Sequence, residues 1–112
     1  MRFKLVLFFL LTFNCFKTVA QEIEIKPYLQ DVAPNSAIVM WQTSEGEESI
    51  VEWGTSPNLI NTAKGTAEAI NFDKVKVHTV KITGLDRFTE YYYRVRTGDA
   101  VSDIFQFKTP PF

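Results

Sequence analysis

His78 is the only histidine in this 112-residue chain, and that limits the chemistry open to it. A metal site built on nitrogen or sulfur needs several convergent ligands. Apart from His78 the chain offers thirteen Asp and Glu residues and a single cysteine, Cys15. "SEGEE" (Ser44 to Glu48) is acidic but lacks the alternating oxygen ligands of a calcium loop, and it reads as a solvated hairpin tip. Serine and threonine are plentiful, yet no set of activating histidines accompanies them. No glycine-rich loop leads into a helix to cradle phosphate. His78 lies in a strand-like stretch and is expected to be a partly exposed sheet residue rather than a ligand.

Three consecutive tyrosines are the other conspicuous group. In an extended strand Tyr91 and Tyr93 share one face and Tyr92 takes the other. Val95 continues the first face, which marks it as the buried one; Arg94 and Arg96 continue the second. Leu85, a polar bend and then Tyr91 have the spacing of a tyrosine corner, in which the phenol bonds back to the backbone of the bend. Tyr91 and Tyr93 are therefore expected in the framework. Tyr92 is expected to face outward, as a partner surface or as a half-covered aromatic beside a cationic stem.

The elements that must hold these residues are strands. No stretch sustains apolar spacing of helical period, and the nearest candidate, Asn58 to Ile70, is interrupted by Gly65. Period-two patterns recur instead. "EIEIKPYL" carries Pro27, which suits an edge strand. "AIVMW" puts Ala37, Val39 and Trp41 on one face and the apolar pair Ile38 and Met40 on the other, where they form a possible interface. "SIVEWG" turns Val51 and Trp53 inward. Short strands are expected near Ile60 to Lys64 and Thr66 to Ile70. "KVKVHTVKI" alternates with a change of phase that suggests a bulge near His78. "YYYRVRT" and "SDIFQFKT" complete the set, and Pro110 and Pro111 end it. About seven short strands with turns every eight to twelve residues predict an all-β, two-sheet antiparallel sandwich. Trp41, Trp53, Leu85, Tyr91 and Tyr93 are its expected structural residues, with Tyr28 or Leu29, Val39, Val51, Val80, Ile82, Val95, Phe105 and Phe107 completing the core.

Residues 1–20 do not fit that plan. Arg2 and Lys4 precede the apolar run Leu5 to Phe13, and "TVA" precedes Gln21, the pattern of a cleaved signal peptide. The run is too short for a membrane-spanning helix. A lipid-modified Cys15 is disfavoured because "TFN" before it lacks a small residue. Cleavage would remove three of the twelve basic residues, leaving nine against thirteen acids, a net charge of about −4. That balance argues against nucleic acid or anionic lipid as a partner. It would also remove the only cysteine, so the exported domain would stand without a disulfide. The destination is expected to be secreted, periplasmic or cell-surface.

The order of landmarks resembles a fibronectin type III domain. More specifically, "KPYLQDVAPNSAIVMWQT", "VEWGTSPN", "VHTVKITGL", "YYYRV" and "FQFKTPP" together resemble the N-terminal domain of secreted purple acid phosphatases, of the metallophosphoesterase superfamily. Arg87 departs from the pattern, standing where the bend usually carries proline. The resemblance implies residues 21–109 as the domain, 110–112 as the start of an interdomain linker, and a following catalytic domain that hydrolyses phosphate esters at a dinuclear metal centre. The ligand blocks that build such a centre are absent from this sequence. The chain is thus expected to be non-catalytic, without catalytic, cofactor or metal residues of its own, and to be the first part of a longer product. The competing expectation is a free-standing adhesion or carbohydrate-binding module, for which Tyr92, Tyr28 and Phe72 would be the exposed aromatics.

Overall fold

The computed structural model describes residues 23–112, and the amino-terminal segment read as a signal peptide lies outside the described residues. Among them there are nine strands and no helix: β1 (Ile23–Gln30), β2 (Ala37–Thr43), β3 (Ile50–Gly54), β4 (Asn61–Lys64), β5 (Thr66–Ile70), β6 (Val75–Ile82), β7 (Glu90–Thr97), β8 (Ala100–Val101) and β9 (Phe105–Lys108). One antiparallel sheet has the order β1-β2-β6-β5; the other has β4-β3-β7, with β8 and β9 both pairing the far edge of β7. The two sheets form a sandwich, as the period-two pattern predicts, with nine strands where about seven were expected.

The tail differs from its expected form as one strand beginning at Ser102: the two-residue β8 precedes that point, β9 begins only at Phe105, and Ser102 takes over the pairing with β7 between them. Its Oγ accepts from Val95 N at 2.9 Å and its own N donates to Val95 O at 3.0 Å. The Asn58 to Ile70 stretch is two strands in different sheets, joined by Gly65 alone. A Cβ at Gly65 would sit 1.9 Å from Thr79 O, so only glycine allows the chain to pass between the layers there. Pro27 lies on an edge strand, and β1 carries the register irregularities of its sheet, between Ile23 and Tyr28.

The inner faces meet in a cluster of Ala37, Val39, Trp41, Val51, Val80, Ile82, Leu85, Tyr91, Tyr93 and Val95. Each large side chain buried there contributes roughly 1.5–3 kcal/mol. Leu29, Trp53, Phe105 and Phe107 pack against the cluster half-buried, whereas Tyr28 stays exposed on the outer face. Two expectations about β6 need correction. Its pairing with β2 is continuous from Ala37↔Ile82 to Thr43↔Lys76, so there is no bulge at His78. The buried residues are His78, Val80 and Ile82, in one phase; Val75, Val77 and Thr79 take the other. His78 is therefore not a partly exposed sheet residue: it is fully buried. The valines suggested the opposite phase because they supply the apolar positions of the outer face.

Candidate functional site

His78 is held by hydroxyls from separate segments. Its Nε2 lies 2.8 Å from Thr43 Oγ1 on β2, and its Nδ1 lies 2.8 Å from Ser49 Oγ at the entrance to β3. Ser49 Oγ also donates to the Glu47 carbonyl at 3.2 Å. With its proton used there, Ser49 accepts from Nδ1–H and Thr43 donates to Nε2, a pattern that assigns the Nδ1–H tautomer. The imidazole stacks on Trp41, centroids 5.0 Å apart and planes 8° from parallel. Trp41 Nε1 in turn donates to Thr97 Oγ1 on β7 at 3.0 Å. The network thus crosses from one sheet to the other.

Serine at hydrogen-bond distance from histidine is the raw material of a nucleophile and its base, a pairing that sequence reasoning missed. Its surroundings deny it that role. Ser49 is 4 % exposed and His78 0 %, so no substrate can reach the hydroxyl. Both ring nitrogens are occupied, and the third partner is a threonine rather than an orienting carboxylate. Burial, and secondarily the Lys76 charge, push the imidazole below its ordinary value, so it is neutral near pH 7. Among the described residues no three His, Cys, Asp or Glu side chains are grouped to hold a metal ion.

A second constellation sits at the tyrosine corner. Tyr91 Oη accepts from Asp86 N at 2.8 Å, and Leu85 is buried beneath the bend. Trp53 meets the Tyr91 ring edge-on and Phe107 stacks on it, each with centroids 5.7 Å away. Tyr93 packs on Phe105 and Phe107, and burial raises its hydroxyl's pKa further above neutrality.

The departing chain is fastened to this same bend. Thr109 Oγ1 donates to Asp86 O at 2.6 Å and accepts from Thr89 N at 2.9 Å. Thr109 N donates to Thr89 O at 3.0 Å, and Phe88 N donates to Pro110 O at 3.1 Å. The loop between β1 and β2 joins the assembly through Asn35, whose Nδ2 donates to Leu85 O and whose carbonyl accepts from Leu85 N, both at 3.0 Å. This clasp was not anticipated, although the sequence carries a signal for it. Three inward strings end on threonine in unbroken period two: Ala37-Val39-Trp41-Thr43, Tyr91-Tyr93-Val95-Thr97 and Phe105-Phe107-Thr109. All three threonines are at most 1 % exposed. A threonine that continues a core phase must find a buried partner, so it marks a point where segments are tied together.

The outer faces differ. On the β3–β7 sheet, Arg94 Nε bonds Glu52 Oε1 at 2.6 Å, and Arg96 reaches Glu52 and Glu48 at 3.7 Å each. The arginines are thus engaged by glutamates. Tyr92 lies half-buried on this face between its cross-strand partners Gly54 and Gln106. On the other sheet, Ile38 pairs Gln30 and Lys81, and Met40 pairs Tyr28 and Thr79. Ile38 and Met40 are half-buried there. The strongly exposed aromatics, Phe72, Phe88 and Phe112, lie on a hairpin tip, a bend and the exit rather than in a row along one strand. A groove of about 450 Å³ runs between β1 and the β8–β9 segment, lined by Lys26, Pro27, Val101 and Phe105 among others.

Several solved structures share the architecture, among them the following three. The sensor domain of the anti-sigma factor RsgI4 from Pseudobacteroides cellulosolvens, in its longer form, superposes with a TM-score of 0.59 at 17 % identity, covering 80 % of this chain and 91 % of that one. The shorter form gives 0.55 at 16 %, covering 80 % and 96 %. A computationally redesigned β-sandwich protein gives 0.52 at 19 %, covering 82 % and 97 %. Identities this low establish the fold alone. No curated protein sequence matches the chain. The sequence model of the family described as "Purple acid Phosphatase, N-terminal domain" matches residues 24–109. That match runs from β1 to Thr109 of the clasp, and by it this chain belongs to the purple acid phosphatase N-terminal domain family.

Proposed function

We propose that this chain is the non-catalytic accessory domain of an exported purple acid phosphatase-like metallophosphoesterase, and that it fixes the position of the catalytic domain that follows it. Residues 1–20 would act as the cleaved leader, 21–109 as the domain and 110–112 as the start of the connection. The dinuclear metal centre and phosphate-ester hydrolysis would belong to the catalytic domain, with no cofactor bound by this chain.

The observation that carries this reading is the clasp. An exit strand that merely tethered a neighbour would need no buried anchor. Here Thr109 is 1 % exposed and shares three hydrogen bonds with the bend through its side chain and its amide. The direction in which the chain leaves is thereby fixed by the same bend that Tyr91 holds. The buried, doubly bonded state of His78 supports the non-catalytic part, since the sole imidazole is committed to structure.

The test has two arms. The purified chain, assayed on an aryl phosphate ester with added iron, zinc or manganese, is expected to show no turnover above the metal blank. The reading frame beyond codon 112 is expected to encode a metallophosphoesterase domain. Turnover by the chain alone would refute the first half of the proposal, and an unrelated or absent downstream domain the second.

A further inference from the structure

The strand registers define two ends of the sandwich. The loops 31–36, 55–60 and 83–89 lie at the end where β9 finishes and the chain departs. The connections 44–49, 71–74 and 98–99 lie at the other. The exit end carries Val32 at 37 %, Ile60 at 83 %, Phe88 at 61 % and Phe112 at 94 % exposure, one from each of four separate segments. Of the five prolines, Pro34, Pro57, Pro110 and Pro111 are at this end. Their fixed φ stiffens the loops that present these side chains.

Phe88 is the most informative of the four. Its φ is 51°, a left-handed conformation that costs a bulky residue energy. The strain turns an aromatic ring outward at the point where Phe88 N donates to Pro110 O of the departing chain. Lys108 Nζ lies 3.8 Å from the ring centroid and leaves most of the ring open.

We infer that this end, which presents Phe88, Ile60 and Val32, is the seat of the catalytic domain of the same polypeptide. The inference rests on the accessory-domain reading and adds the contact surface to it. The occupant follows from connectivity. Pro110 is bonded beside Phe88, and each further residue extends the chain by at most about 3.6 Å. A domain beginning shortly after Phe112 therefore starts next to this apolar surface, and covering it is the cheapest way to remove the surface from water. Phe72, though 95 % exposed, lies at the end away from the exit, whose connections carry Glu45, Glu47, Glu48, Asp73 and Asp99. It serves as the internal control.

The experiment uses the complete product of the gene with its metals bound. Phe88→Asn, Ile60→Ser and Phe72→Ser are compared by limited proteolysis at the joint after Thr109, by thermal melting and by gel filtration. Asparagine tolerates the left-handed conformation, so Phe88→Asn is expected to keep or raise the melting temperature of the sandwich. It is nonetheless expected to speed cleavage at the joint by about tenfold, as loss of one buried aromatic contact predicts. Ile60→Ser is expected to act in the same direction, and it decides alone if Phe88→Asn fails to fold. Phe72→Ser is expected to leave the joint unchanged. Unchanged cleavage in both exit-end variants of an active phosphatase overturns the inference while leaving the accessory reading intact. So does opening of the joint by Phe72→Ser. A dimer dissociated by Phe88→Asn would assign the surface to a second copy instead. A product lacking phosphatase activity would remove the accessory reading and this inference together.

Discussion

The two ends of the sandwich are held in different ways. At the exit end, the bend before β7, the loop before β2 and the departing chain are joined by backbone hydrogen bonds, Asn35, Tyr91 and Thr109. At the opposite end the buried Thr43–His78–Ser49 and Trp41–Thr97 bonds tie the strand ends, and outside them the surface connections are held by ion pairs: Lys76 with Asp73 and Glu47, and Arg96 with Glu48. The side chains of their acidic partners are 47–82 % exposed to water. The hairpin tip at that end runs through three successive left-handed residues, Asn71, Phe72 and Asp73. Buried bonds of defined direction fix geometry, because an unmade partner is costly. Solvated charges hold segments loosely, since water competes for both partners. The contrast teaches that at the exit end directional bonds reach the bend and the departing chain themselves, whereas at the other end they stop at the strand ends and leave the outermost connections to solvated charge.

The sharpest way to break the contrast is Thr109→Val. Valine keeps the shape but leaves Asp86 O without its donor and Thr89 N without its acceptor. Two orphaned backbone groups at a part-buried site are expected to cost about 2–3 kcal/mol. For a domain of this size that is a melting temperature lower by about 10 °C or more. Tyr91→Phe comes second. It orphans only Asp86 N and keeps the ring against Trp53 and Phe107, for about 1–2 kcal/mol. Thermal unfolding followed by circular dichroism ranks them; equal effects from both would show that the exit adds nothing to the corner.

Much of the framework was legible because apolar residues kept strict phase. β2 and β7 bury the side chains their alternation assigns to the core, β3 buries Val51 but leaves Trp53 half-buried, and the distance from Leu85 to Tyr91 pointed to a corner. What failed was any place where polar residues occupy the inner face. His78 follows the core phase, but its neighbours Val75 and Val77 are apolar and face outward, so alternation alone gave the wrong side. Its partners Thr43 and Ser49 lie 35 and 29 residues away. Only tertiary structure brings them together. The clasp was missed for the same reason, since Thr109 has no role until the bend is beside it.

His78 offers a third prediction, at the end away from the exit. Its folded pKa is lowered by burial and by Lys76, so the native state resists a proton that the unfolded chain accepts. The stabilisation is fully present above the ordinary value of 6.5 and is lost as pH falls below it toward the depressed folded value. One group can change stability by at most about 1.4 kcal/mol per pH unit, so the first unit below 6.5 costs about 1 kcal/mol at most. Denaturant titrations at pH 7.5 and pH 5.5 should show the decline, and His78→Gln should flatten it. A decline that persists in His78→Gln would assign the acid sensitivity to other groups.

The smallest effect is expected from Glu48→Gln. Glu48 Oε1 lies 3.7 Å from Arg96 Nη1 and accepts from Gly98 N at 3.0 Å, but its side chain is 47 % exposed. The amide oxygen of glutamine can still accept from Gly98 N, so the change removes mainly a screened charge. Arg96 also keeps Glu52 as a partner at 3.7 Å. A loss of no more than about 0.5 kcal/mol is expected, shrinking further in 0.5 M salt as the Debye length falls below about 5 Å. If Glu48→Gln costs as much as Tyr91→Phe in the same denaturant titration, the two ends do not differ in how they are held. In that case, rigidity at the exit ceases to be a distinguishing property of this fold.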